Sequence, residues 1–228
     1  VPSLVTGAGG GDVSDIKGPI KFCTPTSTGF IVHTDGNAVS ATYTGNAQYP
    51  FKFKELANSK GLTSLDRIAF EANTDTQFVY SNAGLQTVNP REAVTILPEV
   101  TEYLSGHIRE SYNTVTGQFS SPSAPPSYEP LRIALTYVSS RYLLISYGDA
   151  GGTTYEYAVV VDIVGNRIGK LKITHSACFE YTRAADLATL SAGFMGLDGN
   201  ITVLDMSSGK PSTGVLILGK LQGTHTRL

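Results

Sequence analysis

LRIALTYVSSRYLLISYGDAGGTTYEYAVVVDIVGNRIGKLKIT, residues 131–174, is the stretch whose reading decides the fold. It divides into four runs rich in β-branched residues and tyrosine: Leu131–Val138, Arg141–Gly148, Thr153–Ile163 and Asn166–Thr174. Such runs favour the pleated, half-buried surface of a strand. The joints are Ser139-Ser140, Asp149-Ala150-Gly151-Gly152 and Gly165-Asn166, all turn-forming residues that leave no room for a crossover. Four up-and-down strands of this length have the size of one β-propeller blade. The fold class read from the chain is therefore all-β and mostly antiparallel. Its architecture is a β-propeller or propeller-like array of four-stranded blades, with one or two short helices.

The same grammar recurs upstream. Between residues 19 and 56 the runs Ile20–Pro25, Gly29–Thr34, Ala38–Tyr43 and Tyr49–Glu55 predict four strands, with Asp35-Gly36-Asn37 as a hairpin turn. In the last run Phe51 and Phe53 alternate with Lys52 and Lys54, which puts the rings on one face and the ammonium groups on the other. A third group, from Ser64 to Val88, holds strands at Asp66–Ala72, Gln77–Ser81 and Leu85–Val88. Asn89 followed by Pro90 and Glu92 predicts a helix start, interrupted at Pro98 and ending by Leu104. Thr116-Gly117 marks a further hairpin between Ile108–Tyr112 and Phe119. Near the end, Arg183–Leu190 predicts a short helix, Asp198-Gly199-Asn200 a hairpin turn, and Gly214–Leu221 a closing strand. Three phrases repeat one pattern of strand, small polar turn and strand: FIVHTDGNAV at 30–39, FVYSNAGLQTV at 78–88 and FMGLDGNITVL at 194–204. The first two turns lie about 47 residues apart, within the span of propeller repeats.

We read residues 1–228 as one propeller-like domain and as a piece of a longer chain, since the sequence begins at Val1. Residues 1–18 form a glycine-rich loop; Gly7 to Gly11 are followed by neither the Lys-Ser/Thr nor the helix that a phosphate loop requires. Residues 119–130 (FSSPSAPPSYEP) read as a Pro/Ser-rich loop inserted between blades, because four prolines prevent pairing in a central strand. A formal charge of −2 gives no electrostatic motive for sequence-specific nucleic-acid binding. No apolar run approaches 18 residues, so no membrane-spanning segment is predicted. Two cysteines, Cys23 and Cys178, make no disulfide framework; buried free thiols are the expectation, with a single pairing left open.

Catalytic chemistry finds few candidates. His33, His107, His175 and His225 are scattered, and His175 with Cys178 is a lone pair where structural zinc needs four ligands. There is no G-x-S-x-G for a serine nucleophile. Asp12, Asp15, Asp162, Asp198 and Asp205 sit in or beside turns, where Asx-turn bonding accounts for them. Tyr137, Tyr142, Tyr147, Tyr155 and Tyr157 form either a stacking platform or a packing layer, and the second fits better with only Arg132 and Arg141 nearby. No catalytic residue, metal ligand or cofactor is assigned. Phe119 and Tyr128, aromatic anchors in an exposed loop, are the candidate interface residues.

YAVVVDIVGNRIGKLK (157–172) resembles the inner strands of kelch-like blades. Gly151-Gly152 matches the glycine pair, Tyr157 the aromatic and Asp162 the acidic residue, while Ile168 stands where kelch repeats carry tryptophan. A wider set of phrases is similar to propeller proteins of tailed bacteriophages: AVSATYTG and PFKFKELAN (38–58), FVYSNAGLQ (78–86), EVTEYLSGHIRE (99–110), YVSSRYLLISYG (137–148), VVVDIVGNRIGKLKITH (159–175) and GVLILGKLQ (214–222). This resemblance, to the tail hub, nozzle or stopper of short-tailed phages, implies a virion structural protein without enzymatic activity. It implies assembly in the host cytoplasm as a homo-oligomeric ring, with portal, adaptor and other tail proteins as partners. Packaged DNA would be retained or guided without sequence-specific binding. The competing expectation is a propeller-based carbohydrate-binding or polysaccharide-degrading protein.

Overall fold

A computed structural model describes residues 13–71, 74–105, 111–113, 118–120, 131–183, 186–204 and 218–221. The chain divides into two compact units, residues 1–101 and 102–228. Among the described residues the fold is all-β and antiparallel apart from a single α-helix and one 3-10 turn.

In the first unit, β1 (Ile20–Thr26), β2 (Gly29–Thr34), β3 (Ala38–Tyr43) and β4 (Phe51–Glu55) form a sheet in chain order. β5 (Ile68–Phe70), β6 (Gln77–Ser81), β7 (Gly84–Val88) and β8 (Ala93–Thr95) form a second. The register follows from alternation. His33 pairs with Phe22 and Ala38, and Ile31 pairs with Thr24 and Ser40, so these residues share one face. That face packs on the second sheet: Ile31 and Ala38 join Leu56, Leu62, Ile68, Val79, Val88 and Ala93 in one buried cluster, with Phe22 against it. The opposite face of the first sheet carries Val32, Val39 and Ala41, also buried, and an aromatic rim of Phe30, Phe51 and Tyr43.

The repeated phrases occupy one structural position. FIVHTDGNAV is the β2–β3 hairpin and FVYSNAGLQTV the β6–β7 hairpin. In both, the hydroxyl ending the second strand accepts turn N–H groups: Thr34 Oγ1 from Gly36 and Asn37, Ser81 Oγ from Ala83. Gly84, at φ +94°, then closes the second turn, where a Cβ would strike Thr101.

The helix expected at Asn89 is replaced by a hairpin. The Asn89 side chain accepts from the backbone N–H of Arg91 (2.8 Å) and Glu92 (3.1 Å), forming an Asx turn. Ala93 then pairs with Val88, and β8 completes the sheet. Pro98 does not interrupt a helix but opens one, α1 (Pro98–Ser105), where its missing N–H costs nothing.

In the second unit, β9 (Ser111–Asn113) pairs with β10 (Gln118–Ser120), as the hairpin reading expected; its turn lies outside the described residues. β11 (Leu131–Val138), β12 (Tyr142–Asp149), β13 (Tyr155–Asp162) and β14 (Arg167–His175) form the meander predicted from the deciding stretch. Ser139 and Ser140 both have positive φ, 58° and 50°, within a three-residue loop (139–141) closed by the pairing of Val138 with Tyr142. β15 (Ala177–Arg183), β16 (Asp186–Met195), β17 (Ile201–Leu204) and β18 (Leu218–Leu221) form a fourth sheet. Where a helix was expected at 183–190, Arg183 ends β15 and residues 186–190 are strand, with 184–185 outside the described residues. The helix propensity of Leu187, Ala188 and Leu190 is outweighed by a ladder that pairs Thr182 with Leu190 and Arg183 with Asp186. FMGLDGNITVL again forms the turn between second and third strands.

The third and fourth sheets pack through Val138, Leu144, Ala158, Leu171, Ala192, Phe194 and Leu204. Leu143, Ile145, Val159 and Val161, which point to the other side of the third sheet, are equally buried. Its central strands are therefore apolar on both faces, whereas its edge strand β14 is blunted by exposed Arg167, Lys170 and Lys172. No helix among the described residues is long and apolar enough to cross a membrane.

Candidate functional site

Of the two candidate interface residues, Phe119 lies in β10 with its backbone opposite Tyr112, while Tyr128 and the rest of the Pro/Ser-rich loop from residue 121 lie outside the described residues. So do His107, His225, Asp12, Asp205 and the glycine-rich residues 1–12.

Two of the remaining carboxylates, Asp162 and Asp198, do structural work at turns. Asp162, at the end of β13, accepts two hydrogen bonds from the Arg141 guanidinium (Nε 2.9 Å, Nη2 2.7 Å) and one from the Gly165 N–H (2.8 Å). The Arg141 guanidinium, helped by the Gly165 and Val164 N–H groups, holds the Asp162 carboxyl at about 2. Asp198 accepts from the Asn200 N–H in its own turn. Both cysteines are free. Cys23, expected to be buried, is exposed, because it sits on the edge strand β1 opposite Val32 and away from the second sheet. Burial pushes the Cys178 thiol up to about 12. Among the described residues no three His, Cys, Asp or Glu side chains gather at metal-binding distance.

One pairing was invisible in the sequence. His175 Nε2 lies 2.7 Å from Ser146 Oγ, and Nδ1 lies 2.8 Å from the Ile173 carbonyl. Serine, histidine and an orienting acceptor have the connectivity of an activated nucleophile. However, Ser146 is 1% and His175 0% exposed, with the ring enclosed by Tyr155 and Phe194. A substrate carbonyl cannot reach Oγ there, and the pair acts as a pin between β12 and β14.

The tyrosines do not form one platform. Tyr147 stacks on Tyr157 across β12–β13 (5.4 Å, 22°) and bonds through its hydroxyl to Tyr103 (2.8 Å). A bulge between Tyr155 and Tyr157 turns Tyr155 onto His175, with Arg132 4.6 Å over its ring. Sequence reasoning missed Tyr103 and Lys170: the Lys170 ammonium stands 3.7 Å over the Tyr103 ring. Only the return of α1 toward the third sheet joins them, and no local pattern announces that.

Comparison with protein-family models and with curated proteins finds no match to the chain.

The first unit also holds a recessed feature. A cavity of about 300 Å³ opens between its two sheets, lined by Phe22, Pro25, Phe70, Glu71, Asp75 and Gln77 among others. Phe22 and Phe70 form tilted walls 6.0 Å apart. Asp75 is held by Ser27, whose N–H (2.7 Å) and hydroxyl both donate to it, and Glu71 accepts from the Thr74 hydroxyl (2.7 Å). Its floor is a buried polar chain. Gln77 Nε2 donates to Thr24 Oγ1 (2.6 Å), and Gln77 Oε1 lies 2.6 Å from His33 Nε2.

Proposed function

We propose that the chain is a β-propeller structural component of a short-tailed bacteriophage tail, of the hub, nozzle or stopper kind. The observation that carries the reading is the succession of four-stranded meanders, stacked face to face in pairs, with central strands buried on both faces. A two-layer sandwich leaves one face of each sheet to solvent, whereas a blade has neighbours on both sides. The repeated hairpin between second and third strands supports the same arrangement. The likeness of the quoted phrases to phage tail propellers supplies the biological context. In this role the chain assembles with itself and with portal or adaptor proteins, and its weakly acidic charge lets packaged DNA pass without sequence-specific binding.

Electron microscopy of the purified chain, alone and mixed with tail-less phage particles, tests the reading. Rings of fixed number, or density added at the portal, are expected. A monomer that joins no particle overturns it. The recessed cavity favours one second reading, a carbohydrate-binding propeller, since aromatic walls beside carboxylates suit a sugar ring and its hydroxyls. A saturable glycan-array signal removed by Phe70→Ala would support that reading over the structural one.

A further inference from the structure

The polar chain beneath that cavity has an unequal end. His33 is 1% exposed, and its ring is bonded at Nε2 only; Nδ1 has no partner, alone among the buried side-chain nitrogen and oxygen atoms of the described residues. Gln77 also donates to Thr24, so the consistent assignment has Gln77 Oε1 accepting from Nε2–H and leaves an unshared lone pair on Nδ1. The bond matters because it crosses the interface: His33 belongs to β2 and Gln77 to β6. Along with the Gln77–Thr24 bond it links the two sheets beside their shared apolar cluster.

We propose that His33 is an acid-sensitive latch between the two sheets of the first unit, which loosens when the ring takes up a second proton at Nδ1. The new N–H would have no acceptor and the charge no counter-ion. An unmet buried donor is costly, and an unpaired buried charge more so. The surroundings offer no compensation. On the facing side of the second sheet, the register places Ile68, Phe70, Gln77, Val79, Gln86, Val88, Ala93 and Thr95, none of them titratable. On the face of its own sheet the charged groups are Lys52 and Lys54 at the β4 edge, whose sign opposes protonation. Glu71 and Asp75 stand beyond Gln77 at the cavity wall, bonded to Thr74 and Ser27. Consistently, burial lowers the His33 pKa, opposed only by the Gln77 bond.

His175 is the internal control. It too is buried with a lowered pKa, but both its nitrogens have partners that accept. A second proton there finds the Ile173 carbonyl or the Ser146 hydroxyl already in place. Protonation is opposed by burial at both histidines, but only at His33 does it create a buried N–H with no acceptor, and it does so at a junction between two sheets, whatever the chain assembles with.

The sign follows from linkage. The pKa of His33 in the folded chain lies below the ordinary 6.5, so the unfolded chain binds more protons. Stability is full above that ordinary value and falls as pH drops below it. Urea unfolding of the full chain between pH 7.5 and 5, for wild type, His33→Gln and His175→Gln, reads the effect. Each of the two buried histidines with a lowered pKa can add up to about tenfold per pH unit to the wild-type unfolding constant, the slope for one proton. H33Q should lose the His33 share of that dependence and H175Q should keep it. An H33Q chain with the wild-type slope, or an H175Q chain with no slope, overturns the proposal. Should H33Q fail to fold, wild-type amide exchange decides. Exchange in β2 and β6, corrected for its intrinsic pH dependence, should quicken between pH 7 and 5.5; no change there overturns the latch.

Discussion

Replacing Asp162 tests how the deciding meander is held together. Its carboxylate ties the first residue after the Ser139-Ser140 turn, Arg141, to the turn that follows β13, through two guanidinium bonds and the Gly165 N–H. A carboxyl held at about 2 instead of 3.8 corresponds to roughly 2.5 kcal/mol at neutral pH. Asp162 is nearly buried but the Arg141 side chain is 47% exposed, so solvent screening reduces the ion-pair part to about 1 kcal/mol. The orphaned Gly165 N–H adds about 1 kcal/mol. Asp162→Ala should therefore cost about 2 kcal/mol at pH 7, measured by urea unfolding. Asp162→Asn should cost less, since one acceptor oxygen remains. The folded carboxyl has the lower pKa, so its contribution is present above the unfolded value of about 4 and is lost as pH falls through about 2. Wild type and D162N should converge over that window. A double-mutant cycle with Arg141→Met should give a coupling near 1 kcal/mol. Coupling within error of zero, or an unchanged pH 7 midpoint in D162A, would refute the argument that this pair fastens the two turns.

Other consequences are simpler to measure. Phe194 is 1% exposed at the centre of the third-to-fourth sheet contact; Phe194→Ala should cost about 3–5 kcal/mol in urea unfolding. Ser140, at φ 50° in the β11–β12 turn, should tolerate glycine with a gain of up to about 1 kcal/mol in the same assay. A thiol reagent at pH 8 should modify exposed Cys23 rapidly and Cys178 only after denaturant is added, because burial raises the latter to about 12. Equal rates for the two thiols would contradict that burial.

Local chemistry was enough to read most of the strands. The 131–174 meander and the 20–55 sheet were legible because period-2 alternation and turn residues agree along each run. The sequence failed where two local preferences competed. Asn89-Pro90 suits a helix start and an Asx turn equally, and only the pairing of Val88 with Ala93 chose the turn. Residues 183–190 contain helix formers, yet Arg183 ends β15 and residues 186–190 open β16, held by the β15–β16 ladder. The candidate sites were less legible still, because each joins residues distant along the chain. Ser146 and His175, Tyr103 and Lys170, and His33 and Gln77 are each brought together by packing. Strand identity and turn position are set within a few residues by side-chain alternation and backbone preference, so the sequence alone determined them. Which sheet covers which, and therefore which histidine keeps both its hydrogen-bond partners, depends on contacts between distant segments, and only the tertiary structure decided it.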